Sequence, residues 1–174
     1  MSKILYRTTT LMPGEGRTIH GLAVPYGETV DISDGFGEYR ERFEPGAFTR
    51  TIRERAGKVR LFTQHDRRRL PIGKATELRE SPEGLRAEFL VANTSDGDDA
   101  LELVRSGIVD SFSISFRPIR DRQDGDVTVR TEVALMEVSL VSDPAYAGAT
   151  VAGVRARGLT ITSSQAAARL RLIL

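Results

Sequence analysis

The chain has 174 residues, 40% of them hydrophobic and 28% charged, near the averages for a globular protein; no apolar run approaches the roughly 18 residues of a membrane helix. It therefore reads as one soluble domain with ragged ends, and its net charge of +1 gives no electrostatic case for nucleic acid or for a membrane surface. Cysteine is absent, which excludes disulfides, thiolate nucleophiles and thiolate zinc sites, and any histidine-dependent mechanism must use His20 or His65.

The opening stretch MSKILYRTTT lacks the continuous apolar core and small-residue cleavage site of a secretory signal. β-rich segments are expected near residues 3–11, 17–24, 58–64, 73–80, 84–92, 109–118 and 126–141, divided by Gly, Pro and Asp. Residues 29–48, TVDISDGFGEYRERFEPGAF, are long for a connection and rich in Gly and acids, which makes them a candidate lid or binding loop. FEPGAFTRTIRERAG predicts a first helix, with Pro45 in its first turn, Phe48 and Ile52 at i and i+4, and Gly57 ending it. SPEG, residues 81–84, supplies a tight turn joining GKATELRE to LRAEFLVA as a hairpin.

TSDGDDALELVRSG predicts a second helix, capped by Ser95 or Asp96, with acids in the first turn, a Leu101 and Val104 stripe, and Gly107 as its stop. A further hairpin is expected around DRQDGD, residues 121–126. SSQAAARLRLIL at the C-terminus suggests a third helix, an appendage or the remnant of a longer tail. The fold class is thus mainly β with flanking helices, an α+β arrangement.

Three positions combine an ordinary reading with a chemical one. His65 sits where a β-rich run hands over to the basic loop HDRRRLPIG, as a half-exposed loop histidine or as a base. Arg67, Arg68 and Arg69 read as a solvated loop, since no aromatic residues accompany them for stacking on bases. Glu137 is the one charged residue in VALMEVSLV, residues 133–141; a buried carboxylate there needs an ion-pair partner, a hydrogen-bonded site or a proton.

In VDSFSISFRP, residues 109–118, period-two alternation sets Ser111, Ser113 and Ser115 on one face and Phe112, Ile114 and Phe116 on the other. These hydroxyls either face water or include a nucleophile, and alternation does not choose among them. Without Cys, a Ser/His/acid set is the most economical nucleophilic chemistry available, although no G-x-S-x-G elbow is present. DGDD, residues 96–99, lacks the twelfth-position ligand of a calcium loop and serves better as a helix N-terminus, so no metal and no cofactor is expected.

Five blocks in order, HGLAVPYG, ERFEPGAF, QHDRRRLPIGK, SGIVDSFSISF and EVSLVSDPAYAGA, resemble the prohead maturation proteases of tailed bacteriophages, the HK97-type group related in fold to herpesvirus assemblins. The resemblance covers roughly residues 17–152. It implies a protease domain over residues 1–155, built as an assemblin-like closed or partly closed β-barrel surrounded by helices, with residues 156–174 as a helical or truncated tail.

The resemblance further implies a serine endopeptidase. Alignment on Gly107 and Phe116 puts the nucleophile at Ser113, the HD...PIG block makes His65 the general base, and EVSLV makes Glu137 the residue that orients it. Assemblins place a third residue at a similar interval past the serine, though they use histidine, and Asp143 is the alternative. Ser111 and Ser115 stand where the family commonly has glycine, which leaves the backbone at 115 less free to form an oxyanion site.

The function implied is processing of the major capsid protein and its scaffold region, with self-cleavage, in the host cytoplasm inside the assembling procapsid. A homo-oligomer is a further expected partner. The alternative is a catalytically inactive protease-fold module acting as a scaffold or capsid-assembly factor.

Overall fold

The computed structural model describes residues 16–34, 37–142, 145–146 and 148–155. In chain order these form β1 (Thr18–Pro25), β2 (Val30–Asp34), β3 (Gly37–Phe43), α1 (Thr49–Arg55), β4 (Arg60–Thr63), β5 (Gly73–Ser81), β6 (Gly84–Val91), α2 (Ser95–Arg105), β7 (Ser111–Asp124), β8 (Val127–Val141) and β9 (Thr150–Arg155). Seven strands close in the order β8, β4, β5, β6, β1, β9, β7 and back to β8, giving a barrel with two helices, as the mainly β reading expects. The segment 3–11 and the C-terminal helix expected from the sequence lie outside the described residues. Among the described residues, no helix is long and apolar enough to cross a membrane.

Strand β8 is long enough to serve three partners. Its first residues pair in parallel with β3, its last with β4, and its whole length runs antiparallel to β7. On these two long strands Phe112, Ile114, Val138 and Leu140 join the core, so Ser113, Ser115, Glu137 and Ser139 take the opposite face. The core side includes fully buried Ile19, Leu61, Leu85, Phe89, Phe112 and Leu135, with the Phe89 and Phe112 rings 5.9 Å apart. Each such side chain contributes about 1.5–3 kcal/mol through burial.

Both expected hairpins form. Ser81 pairs with Gly84, whose φ of 147° favours glycine and where a Cβ would lie 2.0 Å from the Val24 carbonyl oxygen. Asp124 pairs with Val127 around Gly125, at φ 63°.

The structure departs from the sequence expectations at three places. Residues 29–48 are mostly a hairpin, β2 and β3, docked in register on β8, and not a free loop. Its charged residues pair with chain far away: Arg40 with Asp126 at 2.9 Å, Arg42 with Asp124 at 2.5 Å and buried Glu41 with Arg130 at 2.8 Å.

Pro45 does not begin α1. Gly46 at φ 94° interrupts the helical backbone, and the helix starts at Thr49 after a turn whose Gly46 and Phe48 amides donate to Glu80 Oε1 at 2.9 and 3.1 Å. The cap of α2 is Thr94, not Ser95 or Asp96: its extended backbone lets Oγ1 accept from the Gly97 amide at 3.2 Å. That frees the two first-turn acids for ion pairs, Asp96 with Arg69 at 2.9 Å and Asp98 with Arg17 at 2.6 Å.

Candidate active site

Strand register assembles the site. Across the β7–β8 ladder Ser113 stands opposite Ser139 and Ser115 opposite Glu137, while on the other side of β8 Phe62 of β4 pairs with Ser139. The chain then leaves β4 through Gln64 and His65, both left-handed at φ 51° and 56°. Such conformations cost of order 1–3 kcal/mol each in non-glycine residues unless neighbours enforce them. Here the Gln64 amide donates to the Leu140 carbonyl at 2.9 Å and the His65 amide donates to Ser139 Oγ at 3.1 Å. The turn folds His65 back over β8 toward β7.

His65 Nδ1 lies 2.6 Å from Glu137 Oε1, and its Nε2 lies 2.9 Å from Ser113 Oγ. An ionised carboxylate only accepts, so Nδ1 carries the proton and Nε2 accepts from the serine hydroxyl. Ser115 Oγ also donates to Glu137 Oε1, at 2.6 Å, and Ser139 Oγ donates to Oε2 at 2.9 Å. The glutamate side chain is 1% exposed and the histidine side chain 36% exposed, so the acid is sealed while the ring stays reachable.

Burial pushes the Glu137 carboxyl toward protonation. The hydrogen bonds from His65, Ser115 and Ser139, together with the positive charge His65 carries when it is protonated, outweigh it, and the group lies below the usual glutamate range. A buried carboxylate held ionised against an imidazole, whose far nitrogen meets a hydroxyl, can draw the hydroxyl proton onto the ring.

The structure therefore places His65 between Ser113 and Glu137, within hydrogen-bonding distance of each. Asp143 lies outside the described residues. Asp66 turns to Arg68 at 3.0 Å, and Ser111 donates to Asp110 Oδ1 at 2.7 Å. His20 belongs to β1, beside a cavity of about 240 Å³ lined by residues of β1, β5 and β6, strands that carry neither Ser113 nor Glu137. Ser139 escaped the sequence reading; its signal was the position two residues from Glu137, on the same face of the strand. A second cavity, of about 170 Å³, is lined by Phe112, Ser113, Ile114, Phe116, Tyr146 and others.

The KSHV protease, crystallised in complex with a hexapeptide phosphonate inhibitor, superimposes with a TM-score of 0.56 at 12% identity, over 91% of this chain and 76% of that one, a likeness of fold. The prohead protease of Escherichia phage T5 is 37% identical over 82 residues, 46% of this chain and 38% of the relative. The prohead protease of Enterobacteria phage HK97 is 27% identical over 150 residues, 82% of this chain and 63% of the relative. The chain thus spans less than two thirds of the length of either phage relative. With residues 5–164 matching the profile of the Caudovirus prohead serine protease, the chain belongs to that family.

Proposed function

We propose that this chain is a serine endopeptidase of procapsid maturation, with Ser113 as nucleophile, His65 as general base and then acid, and Glu137 holding the ring. The observation that carries the reading is the continuous hydrogen-bond chain from Ser113 Oγ through His65 to Glu137. In this mechanism Ser113 Oγ attacks the scissile carbonyl as its proton passes to Nε2. Glu137 steadies the imidazolium, and the ring then protonates the leaving amine, leaving an acyl-enzyme that water hydrolyses by the same relay.

The substrate in this reading is an extended segment of the capsid precursor or its scaffold region, and of the chain's own terminus, inside the assembling procapsid of the host cell. Support for an extended peptide comes from β7. It pairs with β8 along one side but with β9 only at Ser111 and Thr150, so beyond that pair its other edge carries no strand among the described residues. An open edge beginning next to Ser113 accepts a peptide as an added strand. A groove lined by Tyr39, Ile114, Ser115, Phe116, Pro118 and Arg130 lies alongside to receive side chains.

Reaction with a fluorophosphonate followed by peptide mapping tests the assignment. One adduct, on Ser113, is expected, and it is lost in His65→Ala. Modification confined to another serine would refute the assignment.

A further inference from the structure

Glu137 Oε1 receives two donors at the same distance, His65 Nδ1 and Ser115 Oγ, each at 2.6 Å. The Ser115 oxygen also lies 3.4 Å from Nδ1, at the ring edge that carries the proton. A strand serine facing water would leave Oε1 to the histidine alone; this one competes for the same lone-pair charge with a charge-assisted hydrogen bond.

The groups that face the carboxylate come from three elements: His65 from the turn after β4, Ser115 from β7 and Ser139 from β8 itself. The charged side chains that follow His65 are turned elsewhere. Asp66 pairs with Arg68, Arg69 pairs with Asp96, and Arg67 is exposed.

We propose that Ser115 is a positioning residue: its hydroxyl pins Oε1 of Glu137 and withdraws part of the carboxylate charge from His65, and so limits how firmly the carboxylate holds the imidazolium formed in the reaction. The inference rests on reading Ser113, His65 and Glu137 as the reacting set. Ser139 completes the clamp by fixing Oε2 while accepting the His65 amide, so carboxylate and histidine backbone are tied to one hydroxyl. Without the Ser115 hydroxyl, the charge on Oε1 faces the ring undivided. The imidazolium is then held more firmly, and acylation of Ser113 is expected to need higher pH.

The test is the rate at which a fluorophosphonate acylates Ser113 in the full chain, followed from pH 5 to 9 in the parent, Ser115→Ala, Ser115→Cys and Ser115→Thr. The acid limb is expected to move up by about half to one pH unit in Ser115→Ala, and by less in Ser115→Cys, whose thiol is a weak donor. Ser115→Thr keeps the hydroxyl and is expected to overlay the parent. The low-field proton resonance of His65 Nδ1 is expected to shift in Ser115→Ala and stay in place in Ser115→Thr. A parent that takes no label at Ser113 removes the reading beneath the proposal, and the proposal with it. A labelled parent whose acid limb coincides with those of Ser115→Ala and Ser115→Cys overturns the role of Ser115 alone, as does a Thr variant that moves with the Ala variant.

Discussion

Ser115 stands directly opposite Glu137 across the β7–β8 ladder, and this single pairing fixes the site. Two residues earlier on β7, and two later on β8, the same register sets Ser113 opposite Ser139, so four polar side chains share one face of two strands whose other face is core. A slip of one residue in either strand would turn that strand's two polar side chains to the other face and separate them from their partners.

Replacing Glu137 by Gln keeps the shape and removes the charge. The amide NH₂ would donate to Nδ1 and force the proton onto Nε2, the wrong nitrogen for accepting from Ser113. Peptidase kcat/KM is expected to fall by on the order of 10³–10⁴, with KM nearly unchanged. Steady-state kinetics on a peptide from a mapped cleavage site would show this, and a loss under tenfold would contradict the orienting role.

Acid should weaken the fold partly through Glu137. Its carboxyl lies below the ordinary range in the folded chain, where burial is outweighed by the His65, Ser115 and Ser139 contacts, so the unfolded chain binds the proton more tightly. The stabilisation is then complete above the unfolded value of about 4.3 and is lost as pH falls through the folded value. Urea midpoints of the parent and Glu137→Gln, compared from pH 6 down to pH 3, are expected to converge toward the acid end. A constant gap would show that the carboxylate does not titrate with folding.

Glu80 organises the start of α1 from a distant strand. Its Oε1 accepts from the Gly46 and Phe48 amides and from the Tyr26 hydroxyl, and its Oε2 accepts from Thr49 Oγ1 at 2.7 Å. Glu80→Gln is expected to lower stability by about 1–2 kcal/mol, a figure reduced for the partial exposure of the side chain. Chemical denaturation measures it, and fluorophosphonate labelling of the folded variant should match the parent because Glu80 shares no contact with the Ser113 relay.

Glu41 and Arg130 form a buried pair, 3% and 10% exposed, with Tyr146 donating to Glu41 at 3.0 Å and Asp121 meeting Arg130 at 2.7 Å. Glu41→Gln leaves the guanidinium under-compensated and should cost about 3 kcal/mol. A double-mutant cycle with Arg130→Met is expected to give coupling above about 1 kcal/mol. Additive losses would mean that each residue acts alone.

What the sequence disclosed follows from which signals are local. Glu137 stood out because its neighbours are apolar, His65 because the chain has only two histidines, and both hairpins because Gly84 and Gly125 mark their turns. The β2–β3 hairpin was hidden because Arg40, Glu41 and Arg42 look like loop residues until Asp126, Arg130 and Asp124, more than 80 positions away, neutralise them. Ser139 and the contact of Ser115 with Glu137 were hidden for a related reason. Alternation assigns a face, but only the β7–β8 register says which side chain lies opposite. The left-handed turn at Gln64 and His65, which carries the ring to Ser113, depends on the amide bonds to Leu140 and Ser139 and leaves no mark in the local sequence.

Peptide cleavage by Ser113 is the step on which the proposed function rests. It is tested most directly by incubating the parent chain and Ser113→Ala with the capsid precursor of the same phage and reading the products by mass spectrometry. The parent is expected to release defined fragments of the precursor, and Ser113→Ala, folded with the same thermal midpoint, to release none. Identical fragments at the parental rate from Ser113→Ala would contradict cleavage by Ser113.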